Sequence, residues 1–522
     1  MKITRREWQL VTVFAMLVML ITTIPYGVGC LSQNEDWQFG GFLFGADDGY
    51  SYLAKMRLGV QGEWLFTLRY SSEPHDGALL FLPYLLLGKI AGWFASGPNL
   101  FSAMVIVFHA ARILFGLLLI LVYYRFIAEF IHVPRLRMLA MVLMTLGGGL
   151  GWLLSIIGLG HWLDSLPVDF IVPEGYSFLI LFGLPHLALA RSATLIGFLL
   201  LFRAQDLDHG WQRCSILAGL CWIVMGLCVP FYIPGVYLLL GCWGLALWVR
   251  DRCFPWRLFW RAVLASVVVL PLLIYTAVVF LTNDVFGRWS AQNLLSSPHP
   301  LHYVAGYIVL AIPAAAAIRW AWSKPDPRFV LLITWVVMVP LIVYLPINVQ
   351  RRLAEGVIVP LGILAAAGLR LLTPRWKLAR NTILALALPT AIFLWLGGTF
   401  TVLNPARPLF QPRDELRALD ELNRLAPPNS VVLSSKDIGN YLPARTDLIA
   451  YVGHGPETLR FDDKKDEMEQ FFAAELDPEV RAELLSQVDY VIYGPDDDPQ
   501  LSADGLILIV DGPYRVYEVP RD

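Results

Sequence analysis

Long apolar runs recur along the sequence, and they limit the possible fold more than any other feature. Runs of about 20 residues, the length that crosses the hydrocarbon core of a bilayer, lie at 8–30, 100–129, 138–158, 186–204, 214–229, 231–249, 259–281, 303–322, 329–347, 353–372 and 381–402. Hydrophobic residues fill 57% of the 522 positions and charged residues only 16%. This share is well above that of a soluble domain, so the sequence predicts a polytopic α-helical membrane protein.

The first apolar run follows Lys2, Arg5 and Arg6, as the apolar part of a secretory signal peptide does. Because the run at 8–30 is long enough to cross the membrane, we interpret it as an uncleaved signal anchor. A lipoprotein cleavage site at Gly27-Val28-Gly29-Cys30 is the weaker alternative.

Basic residues between the runs predict the orientation in the membrane. They cluster at Arg135/Arg137, Arg203/Arg213, Arg250/Arg252/Arg257, Lys324/Arg328 and Arg375/Lys377/Arg380. Since loops rich in Lys and Arg stay in the cytoplasm, these clusters predict a cytoplasmic N-terminus. A further apolar stretch at 78–95 either dips into the membrane or belongs to three crossings within 78–130. The total is then eleven or thirteen spans, and either odd number places the C-terminus outside the cytoplasmic (inner) membrane.

The chain loses its apolar character after residue 403, which predicts an extracytoplasmic α/β domain at 403–522. Strand-like runs at 430–435, 448–452, 490–493, 506–510 and 515–519 alternate with helical patterns near 413–425 and 464–487. Asp511-Gly512 indicates a hairpin between the last two runs. We therefore divide the chain into a transmembrane domain at 1–402, with interfacial helices in its outer loop 31–77, and this second domain.

Asp47 and Asp48 are adjacent in the first outer loop. Such a pair can act as a general base on an acceptor hydroxyl or amine, coordinate a divalent cation, or lie in a solvated loop without chemistry. Taken alone, the pair favours the solvated loop. In the sequence that follows, Tyr50, Leu53 and Leu58 define an apolar stripe of an interfacial amphipathic helix. The acids would lie at its N-terminus, where the helix dipole favours negative charge.

Arginines on the predicted outer face are candidates for binding phosphate. Arg351 and Arg352 oppose the positive-inside trend, and guanidinium groups pair bidentately with phosphate oxygens. The alternative is an ion pair with Glu355 one turn along a helix. Arg112 lies one turn after His109, and it would assist phosphate binding if its span enters from outside.

Further polar residues of the outer face are candidates for the same site. Glu174 is a second candidate catalytic carboxylate, although an idle acid in water is equally consistent with its position. His186 either contacts substrate or bonds to a backbone carbonyl, and His75 is either an acceptor or metal contact or part of a polar turn. Asn293 and His454 are candidate substrate-binding residues.

Two short pieces of the C-terminal segment, 439–441 and 453–455, follow predicted strands, where loops commonly carry binding groups. Turn geometry explains their glycines equally well. Acceptor recognition, or closure over the active chamber, is our hypothesis for these pieces.

Four motifs resemble the GT-C superfamily of membrane glycosyltransferases, and in particular uncharacterised bacterial members. They are Asp47-Asp48-Gly-Tyr-Ser-Tyr-Leu-Ala-Lys, the segment from Glu174 to Pro185-His186, Gln350-Arg351-Arg352-Leu-Ala-Glu-Gly, and Gly453-His454-Gly-Pro-Glu457-Thr458. The superfamily includes oligosaccharyltransferase catalytic subunits, protein O-mannosyltransferases and aminoarabinose transferases. With the many spans and the outer C-terminal domain, the resemblance covers nearly the whole chain.

The resemblance implies a hexosyl- or pentosyltransferase with a lipid-linked donor. Such an enzyme passes a sugar from a polyprenyl-phosphate carrier to a lipid, glycan or protein acceptor on the outer face of the cytoplasmic membrane, with inversion at the anomeric carbon. Asp47 is our first choice for the base because the family's acidic motif falls on this pair. Asp48 is the second choice and a candidate metal ligand. The resemblance requires no cofactor with certainty, and a divalent cation stays open.

Two other classes of membrane protein compete with a transferase. A transporter or lipid flippase would also have many spans, but it should carry mid-membrane charges and often two similar halves. Here the charges gather on one predicted face and no internal repeat is evident. A GT-C-like protein without catalysis is the other alternative. The net charge of −2 says little about partners, because only the distribution of the charges is informative, and the sequence indicates no nucleic-acid-binding surface.

Overall fold

The protein is described by a computed structural model in which residues 3–372, 376–495, 503 and 505–521 are placed. Within these residues, nine helices of 18 to 31 residues are apolar and long enough to cross a membrane. They are Arg5–Leu31, Gly97–Ile127, Pro185–Asp206, Trp211–Cys228, Tyr232–Asp251, Trp256–Thr282, Pro300–Trp322, Gln350–Leu371 and Lys377–Thr401. The chain is thus a mainly helical, multi-pass membrane protein, which confirms the prediction at this level.

One predicted span, 138–158, is a broken helix. It forms Pro134–Leu146 and the short helix Gly151–Ile156, separated at Gly147-Gly148-Gly149, where consecutive glycines disfavour a continuous helix.

Two other apolar stretches form short helices. The predicted span 329–347 becomes Arg328–Ile342, with 15 residues, and the ambiguous stretch 78–95 becomes Leu82–Phe94, with 13 residues. At a rise of about 1.5 Å per residue, both fall short of the roughly 30 Å hydrocarbon core. The count of eleven or thirteen spans therefore stays a prediction.

The described chain divides into two compact units. The first comprises Met1–Ile24, Ala111–Ala277 and Leu294–Gly397. Its shorter elements are Pro134–Leu146, Gly151–Ile156, Trp162–Asp164, Val168–Ile171, Ser177–Gly183, Arg328–Ile342, Gln350–Ala354, Ile358–Leu372, Trp376–Ala387 and Pro389–Thr401. Buried Asp169 stabilises the glycine turn of this unit. Its Oδ2 accepts hydrogen bonds from the amides of Gly149 and Gly151 and from the Thr390 hydroxyl.

The second unit comprises Pro25–Ala110, Val278–Asn293 and Gly398–Asp522. Its helices outside the long apolar ones are Ala46–Val60, Leu82–Phe94, Asp284–Gln292, Arg413–Leu425, Lys436–Arg445, Phe461–Phe472 and Pro478–Ser486, and the 3₁₀ turn Gly97–Asn99 begins the long helix Gly97–Ile127. Strands Trp37–Phe39 and Phe410–Pro412 pair antiparallel. The C-terminal segment predicted as its own domain therefore shares a compact unit with the first outer loop, and its independence as a domain stays a prediction.

A five-stranded sheet forms the centre of the C-terminal segment. Its order is Ile449–Ala450, Val431–Leu433, Tyr490–Tyr493, Arg515–Glu518 and Ile507–Val510. The first three strands are parallel, and the last two join antiparallel. The hairpin predicted at Asp511-Gly512 links those last two strands. Apolar side chains of the sheet, among them Leu433 and Val491, are buried against Phe471 and Leu484 of the neighbouring helices.

Candidate functional site

The acidic pair lies at the start of a helix, as predicted. The helix Ala46–Val60, here called the acidic helix, carries Asp47 and Asp48 in its first turn. The unpaired amides of that turn and the helix dipole both favour negative charge.

The acidic helix is enclosed, which the interfacial interpretation did not anticipate. Tyr50, Leu53 and Leu58 of the predicted apolar stripe are buried, but so are Lys55 and Arg57. These two cations are buried because each meets a carboxylate of the C-terminal segment. The helix is therefore a packed element of the second unit, and its acidic end is open to solvent.

Asp47 is held by the helix Lys436–Arg445. Asn440 Nδ2 donates to Asp47 Oδ1 at 3.0 Å, and Lys436 Nζ lies 3.9 Å from Oδ2. The Asp47 side chain keeps 47% exposure, so it stays accessible to a ligand. It lines a small polar cavity, partly open to solvent, with Tyr50, Arg407, Pro408, Gln411, Asp437 and Asn440.

Asp48 is held by a histidine from another part of the same segment. His454 Nε2 lies 3.0 Å from Asp48 Oδ1, and the Asp48 side chain is 54% exposed while His454 is 5% exposed. On its other side, His454 Nδ1 lies 3.6 Å from Glu457 Oε1. Glu457 in turn accepts from Lys55 Nζ and Ser51 Oγ, both at 2.5 Å.

The sheet explains why Asn440 and His454 reach neighbouring carboxylates. Both residues come shortly after adjacent parallel strands, whose carboxyl ends lie at one edge of a sheet. A close glycine contact joins the two pieces, since a Cβ on Gly439 would lie only 1.9 Å from the Val452 carbonyl oxygen. The pieces 439–441 and 453–455 thus both meet the acidic pair, although Asn440 lies on a helix rather than on the loop predicted there.

In the first unit, the candidate acid Glu174 pairs with a candidate phosphate ligand. Arg352 Nε lies 3.6 Å from Glu174 Oε1, and the Arg352 side chain keeps 42% exposure while that of Glu174 keeps 7%. Burial raises the pKa of Glu174, and nearby Arg352 opposes that rise. Arg351 lies beside Arg352 in the 3₁₀ helix Gln350–Ala354.

Glu355, the alternative partner of Arg351 and Arg352, forms an ion pair with Arg191. Arg191 Nε and Nη2 donate to the two Glu355 carboxylate oxygens, both at 2.7 Å, and the Tyr232 hydroxyl donates to the same carboxylate at 2.8 Å. A fork of this kind fits a carboxylate well. Arg352 therefore pairs with Glu174 and not with Glu355, and the pairing of Arg351 with Glu355 stays a prediction. Arg191 was not among the predicted site residues, and its signal in the sequence was a charge within a predicted span.

An apolar cavity, partly open to solvent, lies in the first unit. Its lining residues are Thr194, Phe198, Met225, Phe231, Tyr232, Gly235, Val236, Leu239, Trp335, Met338, Ile342, Arg352, Leu353 and Glu355. The lining combines an apolar surface with the charges of Arg352 and Glu355, which suits an amphiphilic ligand.

Arg112 does not fit the expected role in phosphate binding. The residue is 1% exposed, and its guanidinium donates to the Thr22 and Thr23 hydroxyls and to the Leu181 carbonyl. These contacts join segments of the first unit, so the structure gives Arg112 a packing role instead.

The remaining candidates differ in their contacts. His75 accepts from the Leu68 amide through Nε2, and its Nδ1 lies 2.8 Å from the Glu73 carbonyl; both nitrogens serve its own loop, which favours the polar-turn alternative. Asn293 donates to the carbonyls of Trp289 and Pro456, so it braces the His454 loop. His186 lies in the first turn of Pro185–Asp206 and is half-buried, and its two interpretations stay open.

The acidic pair was also a candidate cation site. Among the residues that the structure places, no three His, Cys, Asp or Glu side chains form a metal-binding group. The carboxylate oxygens of the pair already have protein partners. Lys436 lies beside Asp47, and His454 contacts Asp48. This donor set does not by itself fit a resident metal ion, and we assign no chemical step to one.

The chain is similar to solved structures but matches no sequence family. No protein-family model matches the chain, and no curated protein does. The oligosaccharyltransferase of Archaeoglobus fulgidus in the apo form aligns with a TM-score of 0.52 and 14% identity, over 94% of this chain and 70% of that one. AglB of the same organism, in complex with an inhibitory peptide and a dolichol-phosphate, aligns with a TM-score of 0.51 and 14% identity, over 91% and 69%.

A third structure extends the likeness to almost the full length of both chains. ArnT from Cupriavidus metallidurans in the apo state aligns with a TM-score of 0.50 and 14% identity, over 96% of this chain and 97% of that one. At 14% sequence identity, the similarity shows a shared fold. The chain therefore has the GT-C fold that its sequence resemblance implied.

Proposed function

We propose that the protein transfers a sugar from a polyprenyl-phosphate carrier to an acceptor, with inversion, on the outer face of the cytoplasmic membrane. The observation that carries this proposal is the acidic end of the helix Ala46–Val60. There Asp47 and Asp48 stay about half exposed, while Asn440 and His454 fix one oxygen of each. A carboxylate that is positioned by one protein contact and stays exposed to solvent is suited to act as a base on an incoming acceptor.

The reaction gives the acidic pair a defined task. The acceptor hydroxyl or amine attacks the anomeric carbon, the bond from that carbon to the phosphate oxygen breaks, and the electron pair leaves with the phosphate. One carboxylate of the Asp47–Asp48 pair receives the acceptor's proton. Attack opposite the leaving group inverts the anomeric carbon.

The phosphate and the lipid tail require a different surface, and the first unit offers one. Arg352 is half exposed beside the apolar cavity, and a guanidinium can neutralise a phosphate oxygen. We propose that Arg352, with Arg351 next to it, binds the carrier phosphate and that the apolar cavity holds the adjoining isoprenoid units. Glu174 then serves to hold Arg352 rather than to act as a second base.

The structural neighbours support the choice of substrates. One of them is in complex with a dolichol-phosphate and a peptide, which favours a lipid-phosphate carrier and a separate acceptor here. By the predicted topology, the N-terminus is cytoplasmic and the C-terminal segment extracytoplasmic. The acceptor class is a lipid, a glycan or a protein.

Reconstitution tests this proposal. The protein in liposomes is supplied with radiolabelled polyprenyl-phosphate sugars and a membrane extract as acceptor, and carrier phosphate release and label transfer are measured. Asp47→Asn and Asp48→Asn should each lower transfer by about 10²-fold or more. Asp414→Asn, which removes an exposed carboxylate paired with Arg417, is the matched control and should transfer normally.

Two outcomes would contradict the proposal. Equal phosphate release by the wild type and both acidic-pair variants would remove the base from the mechanism. Uptake of labelled sugar into sealed vesicles, without release of carrier phosphate, would instead support the transporter alternative. A second set of reactions with chelator and with added Mn²⁺ or Mg²⁺ decides whether transfer needs a divalent cation.

A further inference from the structure

The polar cavity beside Asp47 includes a buried hydrogen-bond acceptor that the fold does not use. Asn440 lines this cavity and is 4% exposed. Because an ionised carboxylate only accepts, the Asn440 Nδ2 that donates to Asp47 fixes the orientation of the amide. Within the part of the chain that the structure places, Oδ1 of this amide makes no hydrogen bond. A buried oxygen of this kind needs a donor, and a ligand in the adjoining cavity can supply one.

Other polar groups of the cavity are bonded to the protein itself. The Tyr50 hydroxyl donates to the Pro408 carbonyl at 2.6 Å and accepts from Gln411 Nε2 at 3.3 Å. Arg407 Nη1 donates to Gln411 Oε1 at 2.8 Å, and its Nη2 donates to the fully buried carboxylate of Glu415. The positive charge of Arg407 is thereby neutralised within the fold, so it does not offset the other charges of the cavity.

The charge that the cavity presents to a ligand is negative. Asp437 lines it from the first turn of a helix and is exposed, and the Asp47 carboxylate is half exposed. Lys436 Nζ lies 3.9 Å from Asp47 Oδ2, which is longer than a hydrogen bond. Two carboxylates and one ammonium leave one net negative charge. Adding Asp48 together with a protonated His454 leaves this sum unchanged, and a neutral His454 makes it more negative.

An ammonium group matches this cavity in both charge and hydrogen bonding. It carries three N–H donors and no acceptor, and the groups left for a ligand are the acceptors of Asp47, Asp437 and Asn440. Lys436, which is partly exposed, already brings one ammonium near Asp47. An anionic group would face two carboxylates instead. The cavity therefore favours a cation over an anion of the same size.

We infer that this cavity binds an ammonium group of the acceptor, next to the hydroxyl that attacks the sugar, and that Asp437 and Asn440 determine this specificity. The inference rests on the proposed function. The hydroxyl oxygen bonds to the anomeric carbon, its proton passes to the acidic pair, and the phosphate leaves with the electron pair. The ammonium is unchanged by the reaction. The acceptor is thereby narrowed to a molecule of the amino-alcohol type.

Chemical modification of the membrane extract tests the inference in the reconstituted transfer assay. Acetic anhydride at neutral pH acetylates amines and removes their positive charge while leaving hydroxyls free. We expect transfer to an acetylated, quenched extract to fall by about tenfold or more, because one favourable charge interaction is lost. Reductive methylation with formaldehyde and cyanoborohydride keeps the charge but leaves no primary amine to act as nucleophile. Transfer to the methylated extract should fall by less than about threefold.

A binding measurement tests the cavity without turnover. The probes are 2-(hexylamino)ethanol, N-(2-hydroxyethyl)hexanamide and N-hexanoylserine, which pair one primary hydroxyl with a cation, a neutral amide and an anion. Saturation-transfer NMR on the protein in phosphatidylcholine nanodiscs should show the cation binding about tenfold or more tighter than the anion.

Charge variants connect this preference to the cavity. Asp437→Lys should reverse the order of the probes, since the cavity then carries a net positive charge. Lys436→Gln should strengthen binding of the cation, because a competing ammonium is removed. Asp463→Lys is the matched control, at an exposed acid that also lies in the first turn of a helix, and it should keep the wild-type order.

The outcomes separate this inference from the proposed function. Equal transfer to untreated and acetylated extract overturns the ammonium site and leaves the transferase proposal intact. Loss of transfer to the methylated extract as well would make the amine itself the nucleophile, which also overturns the inference. So would equal binding of the three probes, or an order that Asp437→Lys does not change. A wild type that transfers no sugar to the untreated extract overturns the proposed function, whereas probe binding still decides whether the cavity takes an ammonium.

Discussion

Replacing Lys55 by methionine should strongly destabilise the second unit. Lys55 Nζ lies 2.5 Å from Glu457 Oε1, and the two side chains are 1% and 6% exposed. Removing one partner leaves the other charge buried and uncompensated, which costs about 3–5 kcal/mol in comparable pairs. Only the Ser51 hydroxyl and the distant His454 nitrogen would still face the Glu457 carboxylate.

Methionine isolates the effect of the charge from that of packing. The lysine ammonium lies 4.4 Å from the Phe81 ring centroid and 5.2 Å from that of Phe66. A thioether also packs favourably on aromatic rings, so these contacts are largely kept. A cation–π contribution of about 1 kcal/mol is lost with the charge. The total loss is then about 4–6 kcal/mol, and at about 2–4 °C per kcal/mol for a domain of this size we expect the melting temperature to fall by roughly 8–24 °C.

The assay is thermal unfolding of the detergent-solubilised protein, followed by tryptophan fluorescence at one fixed scan rate. Lys465→Met is the matched control, since Lys465 pairs with Glu469 at the surface and surface pairs contribute little. Lys55→Met/Glu457→Gln should recover most of the loss, because no unpaired charge stays buried. If Lys55→Met melts no lower than Lys465→Met, the buried pair does not carry the energy assigned to it.

Two further changes probe the fold of each unit. Burial raises the pKa of Glu174, so the stability linked to this group is present below about pH 4.5 and is lost as the pH rises through its elevated pKa; Glu174→Gln should therefore raise the melting temperature at pH 7.5 and change it little at pH 4. A Cβ on Gly88 would lie 1.7 Å from the Met56 carbonyl oxygen, so Gly88→Ala should cost about 3 kcal/mol by overpacking. Gly27→Ala, where no atom lies within 4 Å, should melt at or slightly above the wild-type temperature.

Local chemistry made much of the secondary structure predictable. Nine of the eleven predicted apolar runs became long helices, because backbone groups in a membrane must bond within their own segment. The alternating runs of the C-terminal segment became strands, and Asp511-Gly512 became their hairpin. The acidic pair could be placed on a first helical turn because the apolar period begins just after it.

Pairing between distant segments could not be predicted in the same way. Arg191 and Glu355 are 164 residues apart, and Asp48 and His454 are 406 apart. Sequence spacing offered Glu355, one helical turn along, as the alternative partner of Arg351 and Arg352. The structure instead pairs Glu355 with Arg191 and Arg352 with Glu174, through contacts between residues far apart in sequence. The sequence signal for Lys55 was a cation among mostly apolar residues. Such a cation needs a partner when it is buried, but the sequence does not identify which carboxylate that is.

Exposure separates the charges that hold the protein together from those left for a substrate. A charge that binds substrate must stay hydrated until binding, because a buried charge has already been compensated within the fold. Arg112, Arg191 and Lys55 are buried to 1% exposure and are bonded to the protein's own groups. Asp48 and Arg352 are 54% and 42% exposed. Sugar transfer from a lipid phosphate needs a base and a cation for the phosphate, and in the reaction proposed above the acidic pair and Arg352 supply them. Both charges are therefore hydrated before a substrate binds.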